Sequence, residues 1–475
     1  MRPEPGLGAL ATEEIDEPTV GVLDVDELDA RRDADARHDA EARHGAVTSA
    51  EEAVVAVVGL GYVGLPTAIA LRGAGARIIG IDVSQRRLQE IRNGEAELLD
   101  SEQGALSGYL DGEGFVLTER IDALDAADLV LICVPTPIDE LRRPQPEILR
   151  RACASVVEHA RAGQTFVLTS TTYVGTTREL LVAPLEERGL RVGEDVFVAF
   201  APERIDPGVV EHEQLRTPRV IGAVSETCFR RASQLLRHTC LALHRVSSPE
   251  AAEMVKLYEN TFRAVNIALA FEIGEACKTL ALDPIEVTDA AATKPYGFMA
   301  HYPSAGVGGH CIGVDPHYLL HPLRERGRPA EMAEEAMRKV AGRPRHVVWR
   351  AHELLVAAGG RLADARVLVV GVSYKPGVAD SREAPAVEII ERLRDEGAHV
   401  DYHDPLVGEL RVGDLLLESV DPDPRRDASG FGPEDYDLAI VVTIHPQHDY
   451  GWLRRCRAVL DCTYHTPAGR ERHVP

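Results

Sequence analysis

Hydrophobic and polar residues occur along the chain in blocks that predict strands followed by helices. From residue 54 onward, short apolar runs end at glycine or polar residues, and helix-like stretches such as Tyr62–Ala74 lie between them. This alternation is typical of a mostly parallel sheet that helices cover on both faces. The first half of the pattern predicts six strands, at Val54–Val58, Arg77–Ile81, Leu129–Cys133, Phe166–Thr169, Val196–Phe200 and Val220–Ala223.

The pattern changes near residue 247, where it predicts a long helix. Ser248 is a favourable N-cap, and Pro249 suits the first helical position. No further proline occurs before Pro284, so we expect a helix of roughly 30 residues, about 45 Å long. Such a helix suits a domain connector or a dimer interface. Two more helices are predicted, at Ala330–Lys339 and Val347–Ala358.

A second unit of strands and a helix begins at Arg366. It contains apolar runs at Val367–Val370, Val400–Tyr402, Asp437–Val442 and Ala458–Leu460, with a helix at Ala384–Asp395. The predicted fold class is therefore α/β, with two Rossmann-like parallel-sheet domains joined by a central helical region that contains a long helix. We place the N-terminal domain at 51–246, the central helical domain at 247–345 and the C-terminal domain at 346–475.

Composition separates a globular body from an acidic N-terminal tail. The 475 residues are 45% hydrophobic and 27% charged, which excludes a mainly disordered or fibrous chain. The net charge of −24 argues against a partner that is nucleic acid or an anionic membrane. Residues 1–50 hold 13 Asp/Glu and 5 Arg, so we expect a disordered tail, either merely solvated or bound to a partner. This segment lacks the basic start and apolar core of a signal peptide.

The run Ala53–Leu71 has no charged residue, but its three glycines and Pro66 favour a strand–turn–helix unit over a membrane span. We find no other candidate span and expect a cytoplasmic protein. Eight cysteines without a CxxC pair fit reduced, buried thiols.

A GxGxxG motif, formed by Gly59, Gly61 and Gly64, follows a predicted strand and opens a predicted helix. Its glycines let the backbone approach a pyrophosphate, which the helix N-terminus attracts. Asp82 ends the next strand and is placed to bind a ribose diol, so we expect NAD rather than NADP. NADP stays open because two arginines nearby are able to bind a 2′-phosphate, namely Arg86 and Arg87.

A cysteine, a lysine and an asparagine form a second candidate site. Only five of the 52 basic residues are lysines, so lysine is expected where a compact ammonium is needed. Lys256 and Asn260 share a face of the long helix at i and i+4. Cys311 follows two glycines, and Asp315 comes four residues later. A lysine beside a cysteine favours the thiolate and stabilises an oxyanion; a buried structural thiol and a surface lysine are the alternatives.

A zinc site is the other interpretation of this region. His310, His317 and His321 lie close to Cys311 in sequence, and zinc takes such ligands. A second cysteine or an HExxH pattern is missing, and we expect the two prolines at 316 and 322 to disturb a helix here. We therefore predict no metal site.

Eight motifs in order resemble the UDP-glucose/GDP-mannose dehydrogenase family, from about residue 53 to about 465. They are GLGYVGLP (59–66), CVPTP (133–137), STTYVGTT (170–177), PERIDPG (202–208), AEMVKLYENTFRAVNIA (252–268), GVGGHCIGVDP (306–316), GVSYKPGVADSRE (371–383) and YHDP (402–405). The resemblance implies an NAD domain, a central dimerisation region and a nucleotide-sugar domain. It also implies a UDP-sugar as substrate and a homodimer formed through the central helix.

The family resemblance implies oxidation of the sugar C6 alcohol to a carboxylate with two NAD consumed in one site. Cys311 matches the nucleophile, which forms a thiohemiacetal and then a thioester. Lys256 and Asn260 match the groups that stabilise the oxyanion, and Asp315 matches a carboxylate that acts with the lysine. The remaining catalytic matches are the pair that binds water and NAD, Thr171 and Glu203, of which Glu203 is the candidate base.

Further matches imply ligand contacts. The NAD contacts are Gly59, Gly61, Tyr62, Val63, Gly64, Asp82, Arg87, Thr136, Thr171 and Arg382. The substrate contacts are Glu203, Lys256, Asn260, His301, Tyr302, Ser304, Gly308 and Lys375. The chain departs from the family's usual residues at Ala201, Ala305 and Val314, and at Asp461-Cys462-Thr463, where one arginine interaction is put in doubt.

The stretch ATKPYGFMAHYP (292–303) resembles the branch that oxidises UDP-N-acetylhexosamines. Tyr296, Phe298, Met299 and Tyr302 are expected either to line an acetamido pocket or to pack in the domain core. We expect UDP-N-acetylglucosamine as substrate, with UDP-N-acetylmannosamine and UDP-glucose as alternatives. A two-electron dehydrogenase without a role for Cys311 and a non-catalytic nucleotide-sugar sensor are the other functional classes.

Overall fold

A computed structural model describes residues 53–204, 214–422, 432–465 and 472–474. The predicted acidic tail and the last four residues of the PERIDPG motif lie outside this part. The N-terminal strands are β1 Val54–Val58, β2 Arg77–Ile81, β3 Phe115–Thr118, β4 Leu129–Ile132, β5 Thr165–Leu168, β6 Phe197–Phe200, β7 Arg219–Ala223 and β8 Leu243–Val246. The helices of the N-terminal domain are α1 Gly64–Gly73, α2 Gln85–Asn93, α3 Asp100–Leu110, α4 Glu147–Glu158, α5 Ala183–Glu187 and α6 Glu226–Leu236.

These eight strands form one sheet in the order β3-β2-β1-β4-β5-β6-β7-β8, and every pair is parallel except β6 with β7. The order reverses between β1 and β4, which leaves a crevice at their carboxyl ends, where ligands bind in such sheets. The six predicted strands are confirmed. The pattern does not predict β3 and β8, which are short strands at the two edges of the sheet: β3 buries only Phe115, and β8 exposes His244 and Arg245.

The central region contains α7 Pro249–Thr279, α8 Pro284–Ala292, α9 His310–Glu325 and α10 Glu331–Ala357. The predicted long helix is confirmed as α7, whose N-cap Ser248 accepts a hydrogen bond from the backbone N–H of Ala251 at 3.2 Å. The prediction of two separate helices at 330–358 is wrong, because α10 is continuous through the buried Pro344. The predicted domain boundary after residue 345 therefore lies within a helix.

The expectation that Pro316 and Pro322 disturb a helix is also wrong, because both lie inside α9. Packing explains this result. On α9, Ile312 and Leu320 are buried in a cluster with residues of α7 and α10, and Val314 is buried beside Leu257 of α7. This burial outweighs the hydrogen bonds that the two prolines remove.

The C-terminal strands are β9 Arg366–Val370, β10 His399–His403, β11 Glu409–Val412, β12 Leu415–Glu418, β13 Leu438–Val441, β14 Val459–Asp461 and β15 Arg472–His473, and the helix is α11 Pro385–Asp395. Five strands form a parallel sheet in the order β10-β9-β13-β14-β15, and β11 pairs with β12 as a hairpin. The second predicted α/β unit is thus confirmed. In the described ranges, no helix has both the length and the apolar character needed to span a membrane.

Candidate functional site

The predicted functional motifs of the N-terminal domain meet along one edge of its sheet. The fingerprint follows β1, Asp82 follows β2, the CVPTP loop with Thr136 follows β4, and the STTYVGTT loop follows β5. The Ser170 hydroxyl donates to the Val134 carbonyl at 2.7 Å and so joins the last two loops. Because carboxyl ends of parallel strands share an edge, residues far apart in sequence border one crevice.

The three glycines of the fingerprint have different roles. Gly59 has a φ of +91°, and a Cβ there would lie 2.9 Å from the Cys133 backbone. A Cβ on Gly64 would lie 1.9 Å from the Gly59 carbonyl oxygen, whereas one on Gly61 meets nothing within 4 Å. Gly59 and Gly64 therefore allow the turn and its packing, and Gly61 borders open space. This cradle fits a dinucleotide, with Tyr62 and Val63 on the same loop.

Asp82 and the two nearby arginines bear on the choice of cofactor. The Asp82 carboxylate accepts hydrogen bonds from the backbone N–H groups of Leu60 and Ser84, each at 2.9 Å. Arg86 bonds Glu90 at 2.8 Å, and Arg87 bonds Glu97 at 2.8 Å and the Leu60 carbonyl at 3.0 Å. Both guanidinium groups already face carboxylates, which favours NAD over NADP.

The C-terminal motif GVSYKPGVADSRE reaches the fingerprint directly. The Tyr62 hydroxyl donates to the Asp380 carboxylate at 2.7 Å, and the Arg382 guanidinium carbon lies 4.6 Å from the centre of the Tyr62 ring. Arg382 also donates to Asp380 at 3.0 Å, and burial lowers the pKa of its guanidinium. The structure thus brings Arg382 to the fingerprint, and sequence reasoning missed Asp380 although it lies in the same motif.

The second candidate site is built on α7 and α9. The Lys256 ammonium donates to the backbone carbonyl of Glu203 at 2.9 Å. One turn later, the Asn260 side chain donates to the Asp315 carboxylate, and both residues are buried. Cys311 is the second residue of α9, four positions before Asp315. The first turn of a helix is a position that favours a thiolate.

Glu203, the predicted base, pairs with an arginine that sequence reasoning missed. Its carboxylate lies 3.4 Å from Arg219, and the Arg204 N–H donates to it at 2.8 Å. Only 2% of the Arg219 side chain is exposed, and it also donates to the Ala201 carbonyl at 2.9 Å. The available signal in the sequence was the charged Arg219 at the start of the apolar strand β7, because a buried charge needs a partner.

Glu253 of α7, which sequence reasoning also missed, anchors the loop that carries Thr171 to this helix. This buried carboxylate accepts hydrogen bonds from the backbone N–H groups of Gly175 at 2.6 Å and Thr177 at 2.8 Å, and from the Thr177 hydroxyl at 2.6 Å. Burial raises the pKa of Glu253. Since Glu253 precedes Lys256 by one turn, the same helix positions both the Thr171 loop and the lysine.

The glycine-rich loop before Cys311 packs on the C-terminal domain. A Cβ on Gly308 would lie 2.6 Å from the Tyr374 side chain and 3.0 Å from the Glu383 carbonyl oxygen, so a larger residue does not fit. Tyr374 is the neighbour of Lys375. The predicted substrate residues Gly308 and Lys375 therefore lie on segments that touch.

Two further predicted substrate residues, His301 and Tyr302, make local hydrogen bonds. His301 Nδ1 lies 3.0 Å from the Met299 carbonyl oxygen, and the Tyr302 hydroxyl donates to Asp289 of α8 at 2.8 Å. All four side chains of the predicted acetamido pocket are exposed, namely Tyr296 (72%), Phe298, Met299 and Tyr302. The alternative that these four side chains pack in the domain core is therefore wrong.

The comparison with known families agrees with this architecture. Residues 53–240 match the NAD binding domain of the UDP-glucose/GDP-mannose dehydrogenase family, 250–340 its central domain and 368–464 its UDP binding domain. The chain belongs to the UDP-glucose/GDP-mannose dehydrogenase family. The family uses NAD, so the chain is an oxidoreductase with NAD as its cofactor, and the expected cofactor is confirmed.

Relatives in this family act on several sugars. The UDP-N-acetyl-D-mannosamine dehydrogenase of Pyrococcus horikoshii is 34% identical over 394 residues, which are 83% of this chain and 90% of that protein. The UDP-N-acetyl-D-glucosamine 6-dehydrogenase of Pseudomonas aeruginosa is 35% identical over 355 residues, 74% of this chain and 83% of that protein. A solved structure of UDP-D-ManNAc dehydrogenase from Pyrococcus horikoshii has a TM-score of 0.79 at 30% identity, covering 89% of this chain and 98% of that one.

The cysteines other than Cys311 are mostly buried. These seven cysteines are unpaired thiols, and all of them except Cys456 are buried. Burial raises the pKa of Cys133 and Cys153 to about 12, so at neutral pH these thiols stay protonated and are poor nucleophiles.

The nucleotide-sugar domain holds the loop of Lys375 through a buried pair. Asp404 of the YHDP motif accepts hydrogen bonds from the Val372 N–H at 2.7 Å and lies 3.2 Å from His445 Nε2. His445 Nδ1 in turn accepts from the Gly377 N–H at 3.1 Å. Asp404 and His445 therefore fix the segment on both sides of Lys375.

Proposed function

We propose that the chain oxidises the C6 primary alcohol of a UDP-N-acetylhexosamine to a carboxylate, with UDP-N-acetylglucosamine as the preferred sugar. The observation that carries the proposal is the arrangement of Lys256, Asn260 and Asp315 on α7 and α9, with Asp315 one turn after Cys311 on α9. Two relatives whose names specify an N-acetylhexosamine support the sugar class. UDP-N-acetylmannosamine is the second candidate for the same reason.

In this proposal C6 of the sugar is covalently bound to Cys311 during the second oxidation. Its thiolate adds to the C6 aldehyde and forms a thiohemiacetal, whose oxidation leaves a thioester. Water then cleaves the carbon–sulfur bond, which releases the carboxylate and returns the thiol. Lys256 and Asn260 stabilise the negative oxygen that develops on C6, because a fixed ammonium and a neutral donor act strongly in a buried site. Asp315 holds Asn260 through their hydrogen bond.

Glu203 and Thr171 activate and place the water for thioester hydrolysis. Glu203 is buried and its carboxylate is held by Arg219 and the Arg204 N–H, so one defined orientation is available to accept a proton. A single positioned base of this kind contributes about 10²–10⁴ in rate.

NAD, when bound, accepts one hydride in each of the two oxidations. We assign its pyrophosphate to the N-terminus of α1 at Gly61, Tyr62 and Val63, and its adenosine ribose to Asp82. Thr136, Thr171 and Arg382 complete the proposed cofactor contacts. Lys375 and the segment from Ser304 to Gly308 are assigned to the nucleotide sugar, and Lys375 neutralises part of its diphosphate.

We also propose that α7 forms the interface of a homodimer. One stripe of this helix and its C-cap exposes large apolar side chains at intervals of four or seven residues, namely Met254, Tyr258, Phe262, Leu269, Ile273 and the C-cap Leu280. An exposed apolar stripe of this length is a typical sign of an interface. The test is the solution mass of Tyr258→Asp beside that of the unmodified chain. A monomeric variant supports the proposal, and an unmodified chain that is already monomeric contradicts it.

The substrate assignment is tested with a panel of UDP-N-acetylglucosamine, UDP-N-acetylmannosamine and UDP-glucose. We expect kcat/KM to fall in that order. UDP-glucose should be roughly thirtyfold to a thousandfold poorer, because it leaves space unfilled and a pocket hydrogen bond unmade. An equal or higher kcat/KM for UDP-glucose contradicts the proposed sugar and leaves the family assignment intact.

A further inference from the structure

Arg343 of α10 is a buried cation at the junction of three segments. Only 4% of its side chain is exposed. Its Nε donates to the Ser304 carbonyl at 2.9 Å, and Nη1 donates to the Glu275 carboxylate of α7 at 2.9 Å. The guanidinium carbon lies 4.9 Å from the centre of the Phe271 ring, also on α7. The arginine therefore joins two helices to the loop that precedes Cys311.

The end of the C-terminal sheet approaches the same point. Burial raises the pKa values of Cys462 and Tyr464, and the positive charge of the nearby Arg343 acts in the opposite direction. A Cβ on Gly274 of α7 would lie 3.1 Å from the Pro303 side chain and 3.4 Å from the Tyr464 hydroxyl. Thus Tyr464, Pro303 and α7 are in close contact beside the guanidinium, at the place where the sequence departs from the family's usual Asp-Thr-Arg.

The bond from Arg343 to Ser304 fixes more than one residue. The Ser304 hydroxyl donates to the Gly306 carbonyl at 2.8 Å and accepts from the Gly306 N–H at 3.3 Å, so Ser304 and Gly306 form one compact turn. Gly306 in turn borders Pro344, the next residue after Arg343, and Pro385 of the C-terminal domain. Two residues later, Gly308 packs on Tyr374 beside Lys375.

Glu275 keeps the arginine in place. Although burial raises the pKa of Glu275, His346 and Arg343 outweigh that effect and lower it to about 2, so the ion pair persists at neutral pH. His346 Nε2 lies 2.8 Å from the same carboxylate oxygen. A buried arginine is costly to desolvate unless its partners are fixed, and here α7 and the loop carbonyl supply them.

We propose that Arg343 is a positioning residue for the nucleotide sugar. By holding the Ser304 carbonyl against α7 and α10, it fixes the segment from Ser304 to Gly308 in the conformation that binds the substrate, and it touches no reacting atom. This inference rests on the proposed function, which assigns that segment to the nucleotide sugar.

The test compares three variants by their separate KM and kcat values. We expect Arg343→Met to raise KM for the UDP-sugar about tenfold or more, the scale of losing a hydrogen bond from a charged donor. The value of kcat should change less than threefold, and KM for NAD should not change. Arg343→Lys should be intermediate, because an ammonium restores a charge but not the planar fork. Arg338→Met, on an exposed arginine of the same helix that pairs with Glu335, is the control and should match the unmodified chain.

Glu275→Gln gives a second measurement that does not remove the arginine. It weakens the anchor of Arg343 and should raise KM for the UDP-sugar in the same direction by a smaller factor. Hydrogen exchange of residues 300–308 should become faster in both Arg343→Met and Glu275→Gln. If Arg343→Met does not fold, Arg343→Lys and Glu275→Gln carry the test.

The inference and the proposed function fail in different ways. If the unmodified chain oxidises a UDP-sugar but the variants lose stability and kcat with KM unchanged, Arg343 is structural and the inference is overturned. If the unmodified chain oxidises no UDP-sugar, the proposed function itself fails.

Discussion

Asn260 of α7 donates a hydrogen bond to the carboxylate of Asp315 on α9, and both side chains are buried. This bond joins the helix that carries Lys256 to the helix that begins at His310 and carries Cys311 in its first turn. Without an acceptor, the buried amide of Asn260 would be left unsatisfied at a cost of about 1–3 kcal/mol. The pair therefore fixes the relative position of the two helices on which the proposed chemistry depends.

Cys311→Ser should abolish complete turnover and leave NAD binding intact. A serine hydroxyl is a poor nucleophile here, and an ester that it forms is hydrolysed slowly, whereas the fingerprint lies in another domain. Steady-state activity and NAD binding by calorimetry measure the two effects. Cys456→Ser, in the C-terminal domain, is the matched control and should remain active. Full activity of Cys311→Ser would show that this thiol is structural.

Lys256→Ala should reduce kcat on the order of a hundredfold or more, the scale for losing one group that stabilises an oxyanion. The expected cause is the loss of the ammonium that Glu203 now holds through its backbone carbonyl. Lys339→Ala removes a lysine that pairs with Glu272 elsewhere in the central domain and serves as the control. A near-normal kcat for Lys256→Ala contradicts its proposed role.

Asp82→Ala should weaken NAD binding and reduce discrimination against NADP. The carboxylate is expected to bind the ribose diol and to repel a 2′-phosphate, and it also holds the Leu60 and Ser84 N–H groups. KM values for both cofactors measure the change, with the exposed Asp122→Ala as control. If the unmodified enzyme already uses NADP as well as NAD, then Arg86 or Arg87 recognises the phosphate and the assignment to Asp82 is wrong.

Glu275 predicts a specific pH dependence of stability. Its pKa is lowered from 4.5 to about 2 in the folded chain, so the ionised form stabilises the fold above pH 4.5. That contribution decreases as the pH falls from about 4.5 towards 2, because protonation then removes the partner of Arg343. The destabilisation caused by Glu275→Gln, measured by denaturant unfolding, should therefore be largest near pH 6 and smaller at pH 3.5. A destabilisation that does not change with pH contradicts this ion pair.

The sequence was sufficient to predict the strands and helices that depend on a local pattern of residues. Apolar runs gave six N-terminal strands, and Ser248 with Pro249 gave the start of α7. The sequence failed where tertiary packing overrides a local rule, as at the prolines of α9 and α10. It also could not show partners distant along the chain: Arg219 for Glu203, Glu253 for the Thr171 loop, and Arg343 for Ser304. Those pairings depend on the sheet order and the helix packing, which no local pattern encodes.

The most direct test of the central claim is the number of NADH molecules formed per nucleotide sugar. The unmodified enzyme is supplied with limiting UDP-N-acetylglucosamine and excess NAD, and an aldehyde-trapping reagent is present. The thioester mechanism at Cys311 predicts two NADH per sugar, a uronic acid product and no trapped aldehyde. One NADH per sugar with the aldehyde recovered in the trap would contradict it.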